Sequence, residues 1–277
     1  MNWLGDAVMT LPALASLRAA LPDAHITILS SRKFAGLYSA LLVDETIELG
    51  RETSLAQVVA RIRAGRFAAA VVFPNSLRSA LEPWLAGIPK RVGLDHRGRG
   101  LLFTKALSPR GLVDMRRRST EEINQLAADP YGSRAPLATE GHHLNRYLRI
   151  VELLGADPSL RAPRLEVDPA EIADARRRLV GDALPPSGPL IGMCSGAEYG
   201  AAKRWPEERF IDAACTLHKR SGCRWLLFGT QSERSDCERI AAGIRTADVP
   251  VLNLAGRTSL RELAALLAGC DAAMGND

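Results

Sequence analysis

Residues 67–73 read FAAAVVF, an unbroken apolar run in an otherwise mixed sequence. A run of this length is typical of a β-strand covered on both faces, as strands in parallel sheets usually are. It is far shorter than the roughly 18 apolar residues that indicate a membrane-spanning helix. The stretch therefore predicts an α/β protein built on parallel sheets.

Strands and helices alternate on both sides of this run. Apolar and β-branched segments predict strands at 25–31, 46–49, 67–74, 91–94, 189–195, 224–229, 251–255 and 272–275. Helical periodicity predicts helices at 7–21, 54–65, 76–86, 142–155, 169–180, 206–221, 232–246 and 259–268. Alternation at this spacing is typical of βαβ units.

Two segments interrupt the alternation. Residues 108–141 are rich in Arg, Pro and Gly without a sustained period, and are either a solvated insertion or a functional loop. The segment DALPPSGP at 182–189 precedes a new strand, and 277 residues are enough for about two domains. We therefore expect two α/β domains, 1–165 and 166–277, with ligands bound at the carboxyl ends of strands near the cleft between them.

Composition restricts the class of partner. With 36 basic and 31 acidic residues the net charge is +5, which favours an anionic small molecule or a membrane surface. The basic residues are too dispersed to indicate a nucleic-acid partner. Five cysteines without a C-x-x-C pair fit reduced core thiols in a cytoplasmic protein better than disulfides or zinc. No cluster has metal-ligand spacing, so no metal is expected.

The first motif that could carry chemistry is NWLGDAVMTLP, residues 2–12. Gly5 permits a tight turn, and Asp6 can cap the helix predicted at 7–21. The alternative is that Asp6 projects into a cleft as a general base. The residues alone leave both interpretations open.

The second motif is MCSGAEYGAAKRWPEERF, residues 193–210. A strand ends at Ser195, a Gly-rich loop follows, and Lys203 precedes a helix that begins near Pro206. A loop of this kind can bind phosphate through backbone N–H groups and one cation, although it could also be an ordinary strand–helix connection.

Two further stretches follow the last predicted strands. Glu233, after the strand in 224–229, could accept hydrogen bonds from ribose hydroxyls or complement a helix N-terminus. Ser259 and Glu262 have the spacing of a capping box. The strand at 272–275 then ends in Gly-Asn-Asp, a natural ligand position in a parallel sheet.

Five stretches together resemble glycosyltransferase family 9, the ADP-heptose:lipopolysaccharide heptosyltransferases, and within it the heptosyltransferase II group. They are NWLGDAVMTLP (2–12), RVGLDHRGRGLL (91–102), HHLNRYLRIVELLG (142–155), GAEYGAAKRWP (196–206) and NLAGRTSLRELAALLAGCDAAMGND (253–277). The resemblance implies a GT-B fold, in which two Rossmann-like domains face a cleft. The N-terminal domain then binds the acceptor and the C-terminal domain binds the ADP-sugar.

The resemblance also implies a reaction: transfer of L-glycero-D-manno-heptose from ADP-heptose to the lipopolysaccharide inner core, with inversion at the sugar carbon. Matched position by position, Asp6 is the general base, and the donor contacts are Ser195 and Gly196 near the diphosphate, Lys203 at the phosphates, Glu233 on the ribose and Asp277 on the heptose. ADP-heptose is a substrate, so no cofactor is implied. The acceptor is an anionic lipopolysaccharide core, which implies a cytoplasmic protein at the inner membrane surface.

The chain departs from the family pattern at both ends. It lacks the short apolar strand before NWLGD and the Ser-Gly continuation after Asn-Asp, so we expect the first strand and a C-terminal part of the fold to be missing. Two alternatives remain open. One is another GT-B enzyme, either a transferase for a different nucleotide sugar or a sugar-nucleotide epimerase. The other is a non-catalytic nucleotide-binding fragment.

Overall fold

The computed structural model describes residues 3–38, 42–50, 52–109, 120–121, 143–159, 161–197 and 203–276. The chain divides into two compact units, Met1–Leu165 and Glu166–Asp277. The described strand pairs of both units are parallel, which confirms the α/β fold with parallel sheets. Most of the segment 108–141 lies outside the described residues, so its predicted role stays untested.

The first unit alternates short strands with helices. Its strands are Thr27–Ser31 (β1), Glu45–Leu49 (β2), Ala69–Val72 (β3), Lys90–Leu94 (β4) and Lys105–Leu107 (β5). Its α-helices are Leu4–Met9 (α1), Leu11–Ala20 (α2), Leu55–Ala64 (α3), Leu77–Leu85 (α4) and His143–Glu152 (α5). β1 pairs with β2, and β3, β4 and β5 form a second sheet in that order. β5 was not predicted, because three residues are too few to show a period.

The stretch FAAAVVF contains β3 (Ala69–Val72), and both faces of this strand contact helices as predicted. Ala70 packs against the cluster that contains Val58 and Ile62 of α3. Its neighbour Val71 packs against a different cluster, which contains Leu148 of α5. Because consecutive strand residues point to opposite faces, helices cover both sides of β3.

The single helix predicted at 7–21 is wrong, because the structure has two helices, α1 and α2, that meet at Thr10. Pro12 explains the break. Inside a continuous helix it would lack the N–H that bonds to the carbonyl of Val8, and its ring would clash with that carbonyl. As the second residue of α2, Pro12 avoids both penalties.

The N-terminal capping interpretation is also wrong. Trp3 is the N-cap of α1, whereas Asp6 is the third residue of that helix. Gly5 is helical too, so it does not form the expected turn. A carboxylate in a first helical turn is favourable, because it faces the positive end of the helix dipole.

The second unit is a parallel sheet with helices on both faces. Its strands are Leu190–Cys194 (β6), Arg224–Phe228 (β7), Val251–Asn253 (β8) and Ala272–Gly275 (β9). Its α-helices are Pro169–Ala175 (α6), which continues as a π-helix to Val180, Glu207–Ser221 (α7), Arg234–Arg245 (α8) and Leu260–Ala268 (α9). The order across the sheet is β8-β7-β6-β9.

Helix starts in this unit follow the signals in the sequence. Ser259 Oγ accepts from the backbone N–H of Glu262 at 3.2 Å, and the Glu262 carboxylate accepts from the N–H of Ser259 at 2.8 Å. This reciprocal pair confirms the predicted capping box. Pro206 is the N-cap of α7, with acidic residues in the first turn of the helix, as its sequence indicates.

Both faces of strand β7 are buried. Trp225 and Leu227 belong to a cluster with side chains of α7 and α8, and Leu226 and Phe228 belong to a cluster with side chains of α9. All four are at most 2% exposed. Strand β7 is therefore fixed on both sides, and the carboxyl edge of the sheet rests on a closely packed frame.

Candidate functional site

The strand order of the second unit creates a switch point between β6 and β9. From β6 the chain runs through α7 to β7 and through α8 to β8, then returns through α9 to β9 on the other side of β6. Ligands of such sheets bind beyond the carboxyl ends of the two strands where the order reverses. Cys194 lies opposite Gly275 in the register, so Ser195 and Asn276 leave the sheet side by side at this point.

A recess lies at the switch point. It is bounded by the end of β6, the segment before α7, and the first turns of α7 and α8. Its lining residues are Ser195, Gly196, Arg204, Trp205, Pro206, Glu207, Glu233, Asp236 and Ile240. Three of the six residues predicted for the site, Ser195, Gly196 and Glu233, are therefore brought together here.

Ser195 contributes main chain rather than a hydroxyl to this recess. The residue is 9% exposed, and its Oγ lies 3.7 Å from the Sγ of the fully buried Cys237. Burial raises the pKa of the Cys237 thiol, which keeps it neutral beside Ser195. The groups of Ser195 and Gly196 that a ligand can meet are thus mainly their backbone atoms.

Glu233 ends the short 3-10 turn Gln231–Glu233 that follows β7. Its Oε2 accepts hydrogen bonds from the backbone N–H of Thr230 at 2.7 Å and from Thr230 Oγ1 at 2.8 Å. Its Oε1 lies so close to Gly196 that a Cβ placed there would be 1.9 Å away. The carboxylate therefore completes a capping box at the start of the turn, and it also lines the recess at the switch point, where its predicted contact with ribose hydroxyls stays a prediction.

Among the residues that the structure describes, the cation that lines the recess is Arg204 rather than Lys203. Lys203 is exposed and is not one of the lining residues. The guanidinium of Arg204 donates to the Ala197 carbonyl at 3.2 Å and lies 3.5 Å from the Asp236 carboxylate. Sequence reasoning favoured the lysine because lysine is rare in this chain, but adjacent residues in an irregular segment face directions that only tertiary contacts decide.

Asn276 was also missed. Its side chain contacts the backbone of Ser195, Gly196 and Trp205, at distances of 2.6–3.3 Å. A signal was present, since a strand that ends in Asn-Asp marks a ligand position, but the ligand contact was predicted for Asp277 instead. Asp277 lies outside the described residues, so its predicted contact with the donor sugar stays untested.

Asp6 lies in the first unit and is half-buried. The next residue, Ala7, is fully buried, which anchors α1 on this side. Tyr147 of α5 interacts electrostatically with the Asp6 carboxylate. Burial raises the pKa of Tyr147, and the negative charge of Asp6 raises it further. Asp6 is thus held on a packed helix near a tyrosine that keeps its proton.

Metal ligands and membrane-spanning helices are two further features to consider in the described residues. In the part of the chain that the structure describes, no three His, Cys, Asp or Glu side chains come close enough to hold a metal ion. None of the described helices combines the length and the hydropathy needed to cross a bilayer.

Comparisons with known proteins assign the chain to a family. The model of glycosyltransferase family 9 (heptosyltransferase) matches residues 55–277. Lipopolysaccharide heptosyltransferase 2 of Escherichia coli K12 is 29% identical over 289 residues, covering 100% of this chain and 75% of that protein. These matches confirm the resemblance inferred from the motifs.

Solved structures support the same assignment. The structure of E. coli ADP-heptose lps heptosyltransferase II has a TM-score of 0.74 and 27% identity, covering 100% of this chain and 77% of that one. E. coli heptosyltransferase WaaC with ADP-2-deoxy-2-fluoro heptose has a TM-score of 0.66 at 21% identity, covering 100% and 81%. These likenesses confirm the expected fold class, and the family confirms a transferase.

Proposed function

Because the chain belongs to glycosyltransferase family 9, the heptosyltransferase family, we propose that it transfers L-glycero-D-manno-heptose from ADP-heptose to the lipopolysaccharide inner core with inversion. The observation that carries the proposal is the recess at the β6–β9 switch point, where Ser195, Gly196 and Glu233 converge. This is the edge at which Rossmann-like sheets bind nucleotides. The likeness to a heptosyltransferase solved with an ADP-heptose analogue supports an ADP-sugar as the donor.

The donor subsite follows from the groups around this recess. Glu233 accepts hydrogen bonds from the ribose hydroxyls, while the backbone of Ser195 and Gly196 approaches the diphosphate. Lys203 and its neighbour Arg204 supply positive charge to the phosphates. Asp277 contacts the heptose. The donor is a substrate that carries its own leaving group, so the proposal includes no cofactor and no metal.

The chemistry needs a base and a stabilised leaving group. A sugar hydroxyl is a weak nucleophile, so Asp6 accepts its proton as the new glycosidic bond forms. Attack from the face opposite ADP inverts the anomeric carbon. The charge that develops on ADP is stabilised by Lys203 and by the N-terminus of α7, whose N-cap, Pro206, has no side-chain acceptor to occupy the first-turn N–H groups.

The acceptor and the site of action complete the proposal. The lipopolysaccharide inner core is anionic and anchored in lipid, and a net charge of +5 favours such a partner. We therefore place the enzyme at the cytoplasmic surface of the inner membrane. The first unit, 1–165, binds the acceptor, and the second, 166–277, binds the donor.

A donor panel tests the proposal. The purified chain is incubated with a heptose-deficient lipopolysaccharide core and ADP-heptose, UDP-sugars or GDP-sugars, and product is measured by mass spectrometry. We expect kcat/KM with ADP-heptose to exceed the others by about 100-fold or more, because a site built to hydrogen-bond one nucleotide rejects others strongly. Preference for another nucleotide indicates a different GT-B enzyme. Binding of ADP without transfer indicates a nucleotide-binding module.

Gly196→Ala tests whether Glu233 belongs to the donor subsite. The new Cβ would stand 1.9 Å from Glu233 Oε1 and displace the carboxylate, which is the flexible end of a side chain. The variant should therefore still fold, while loss of charge-assisted hydrogen bonds should weaken the affinity for ADP by about 10-fold, as measured by calorimetry. In a Glu233→Ala background the same glycine substitution should leave the affinity for ADP almost unchanged. Additive losses in that double-mutant cycle would contradict the assignment.

A further inference from the structure

Asn276 follows β9 directly and uses both ends of its side-chain amide. Nδ2 donates to the carbonyl of Ser195 at 2.6 Å and to that of Gly196 at 3.3 Å. Oδ1 accepts from the backbone N–H of Trp205 at 2.9 Å. The residue is half-buried, and its own N–H bonds to the Cys194 carbonyl at 3.4 Å.

These contacts bracket one segment of the chain. Gly196 opens the loop between β6 and α7, and Trp205 closes it just before the N-cap of α7. The Trp205 ring also lies edge-on to Phe210, with centroids 5.1 Å apart, and Phe210 is 1% exposed. A single amide that follows the neighbouring strand, β9, thus joins both ends of the loop and ties them to the packed sheet.

The requirement for an amide follows from the polarity of the two ends. Carbonyl oxygens at the first end need a donor, and an N–H at the second end needs an acceptor. Asn offers both within one small planar group, whereas Asp offers only acceptors when ionised. Donation from Nδ2 also occupies two carbonyl oxygens, which would otherwise repel an anionic phosphate nearby.

We propose that Asn276 is a positioning residue: its amide clamps Gly196 and Trp205 to each other and so holds these two described ends of the β6–α7 connection in place for the diphosphate of a nucleotide donor. The identity of this ligand rests on the proposed function, whereas the clamp rests on the contacts alone. Preorganisation of this kind improves affinity, because the backbone groups of Gly196 and Trp205 are positioned before the ligand arrives.

Asn276→Asp is the test, because it keeps the size of the side chain and the acceptor for Trp205. It replaces the Nδ2 donor with an oxygen that faces two carbonyl oxygens. We expect the Kd for ADP and the KM for the donor to rise by about 10-fold or more. The KM for the acceptor and kcat at saturating donor should stay within about twofold, because the clamp acts before chemistry.

A second readout needs no nucleotide. Lys203 and Arg204 lie inside the bracketed loop, so trypsin should cut after them several-fold faster in the unliganded variant, as mass spectrometry of the early fragments can measure. Other cleavage sites should keep their rates. This measurement follows the clamp even if ADP is not the ligand.

Asn253→Asp is the matched control. Asn253 ends β8 on the same sheet edge, and its Nδ2 donates to Glu238 at 2.8 Å, outside the recess. The same chemical change there should lower the Tm without altering the KM for the donor or cleavage after Lys203.

The outcomes separate the two proposals. If wild type fails to bind ADP while Asn276→Asp still accelerates loop cleavage, the proposed function fails and the clamp stands. If the variant binds ADP as wild type does, or only its Tm falls while KM and cleavage stay unchanged, Asn276 has no positioning role and the inference is overturned.

Discussion

Asp6→Asn is expected to lower kcat by roughly 100- to 10,000-fold, the usual contribution of a general base. Asn has nearly the size and shape of Asp but cannot take a proton at neutral pH. The KM values should change little, because the proton moves only in the transition state. The measurement is steady-state transfer of heptose from ADP-heptose to a heptose-deficient core, followed at saturating levels of both substrates.

The position of Asp6 supports a large effect on rate and a small effect on folding. It stands on a helix whose next residue is fully buried, so the carboxylate is held by packing rather than by a mobile loop. Its neighbour Tyr147 cannot replace it as base, because burial first and the Asp6 charge second raise the pKa of that phenol. Removing the charge from the first turn of α1 should cost about 0.3–1 kcal/mol of stability.

Asp23→Asn provides the matched control. Asp23 is exposed in the turn after α2, in the same unit, and the same substitution there should leave kcat unchanged. Circular dichroism and thermal unfolding establish that both variants are folded. Normal turnover by folded Asp6→Asn would show that another group takes the proton.

Features set by neighbouring residues could be predicted from the sequence. Strand β3 was visible because side chains on both of its faces pack against helices, which removes polar residues from a short run. The start of α9 was visible because Ser259 and Glu262 bond to each other across three residues. The break at Thr10 also has a local cause, because Pro12 disfavours a continuous helix, although the sequence analysis expected one helix over 7–21.

Features that depend on distant contacts could not be predicted in the same way. Asn276 and Ser195 are 81 residues apart, and only the strand order brings them together. Gly196 carries no local sign that it makes room for Glu233. The capping alternative for Asp6 could not be excluded from the sequence, because the actual N-cap, Trp3, has an extended backbone but no side-chain capping bond.

Arg99 is the extreme case of a residue whose role the sequence hides, and Arg99→Met is expected to lower the free energy of unfolding by about 3–5 kcal/mol. An arginine between two glycines looks solvated, yet this one is 2% exposed. Its guanidinium donates to the carbonyls of Leu94 at 2.9 Å, Pro74 at 2.6 Å and Ser76 at 2.9 Å. Met would fill similar space but remove this donor from all three carbonyls, leaving the Ser79 hydroxyl as the remaining side-chain donor near Pro74 and Ser76.

The surroundings of Arg99 explain why its hydrogen-bonding geometry contributes more to stability than a positive charge alone would. Burial lowers the pKa of Arg99, and only the nearby Asp95 opposes that shift, so the cation depends on the carbonyls for its solvation. Arg99→Lys should therefore recover part of the loss, because one ammonium cannot reach every carbonyl that the planar fork reaches. Urea unfolding of the first unit, followed by circular dichroism, measures both losses.

Arg97→Met isolates the effect of burial from that of losing a positive charge. Arg97 is exposed two residues earlier, so its variant should stay within about 0.5 kcal/mol of wild type. Equal stability of the two methionine variants would mean that the carbonyls around Arg99 find other donors. A large loss at Arg99 alone would mean that this side chain joins the segments after β3 and β4, because Pro74 and Ser76 follow one strand and Leu94 ends the other.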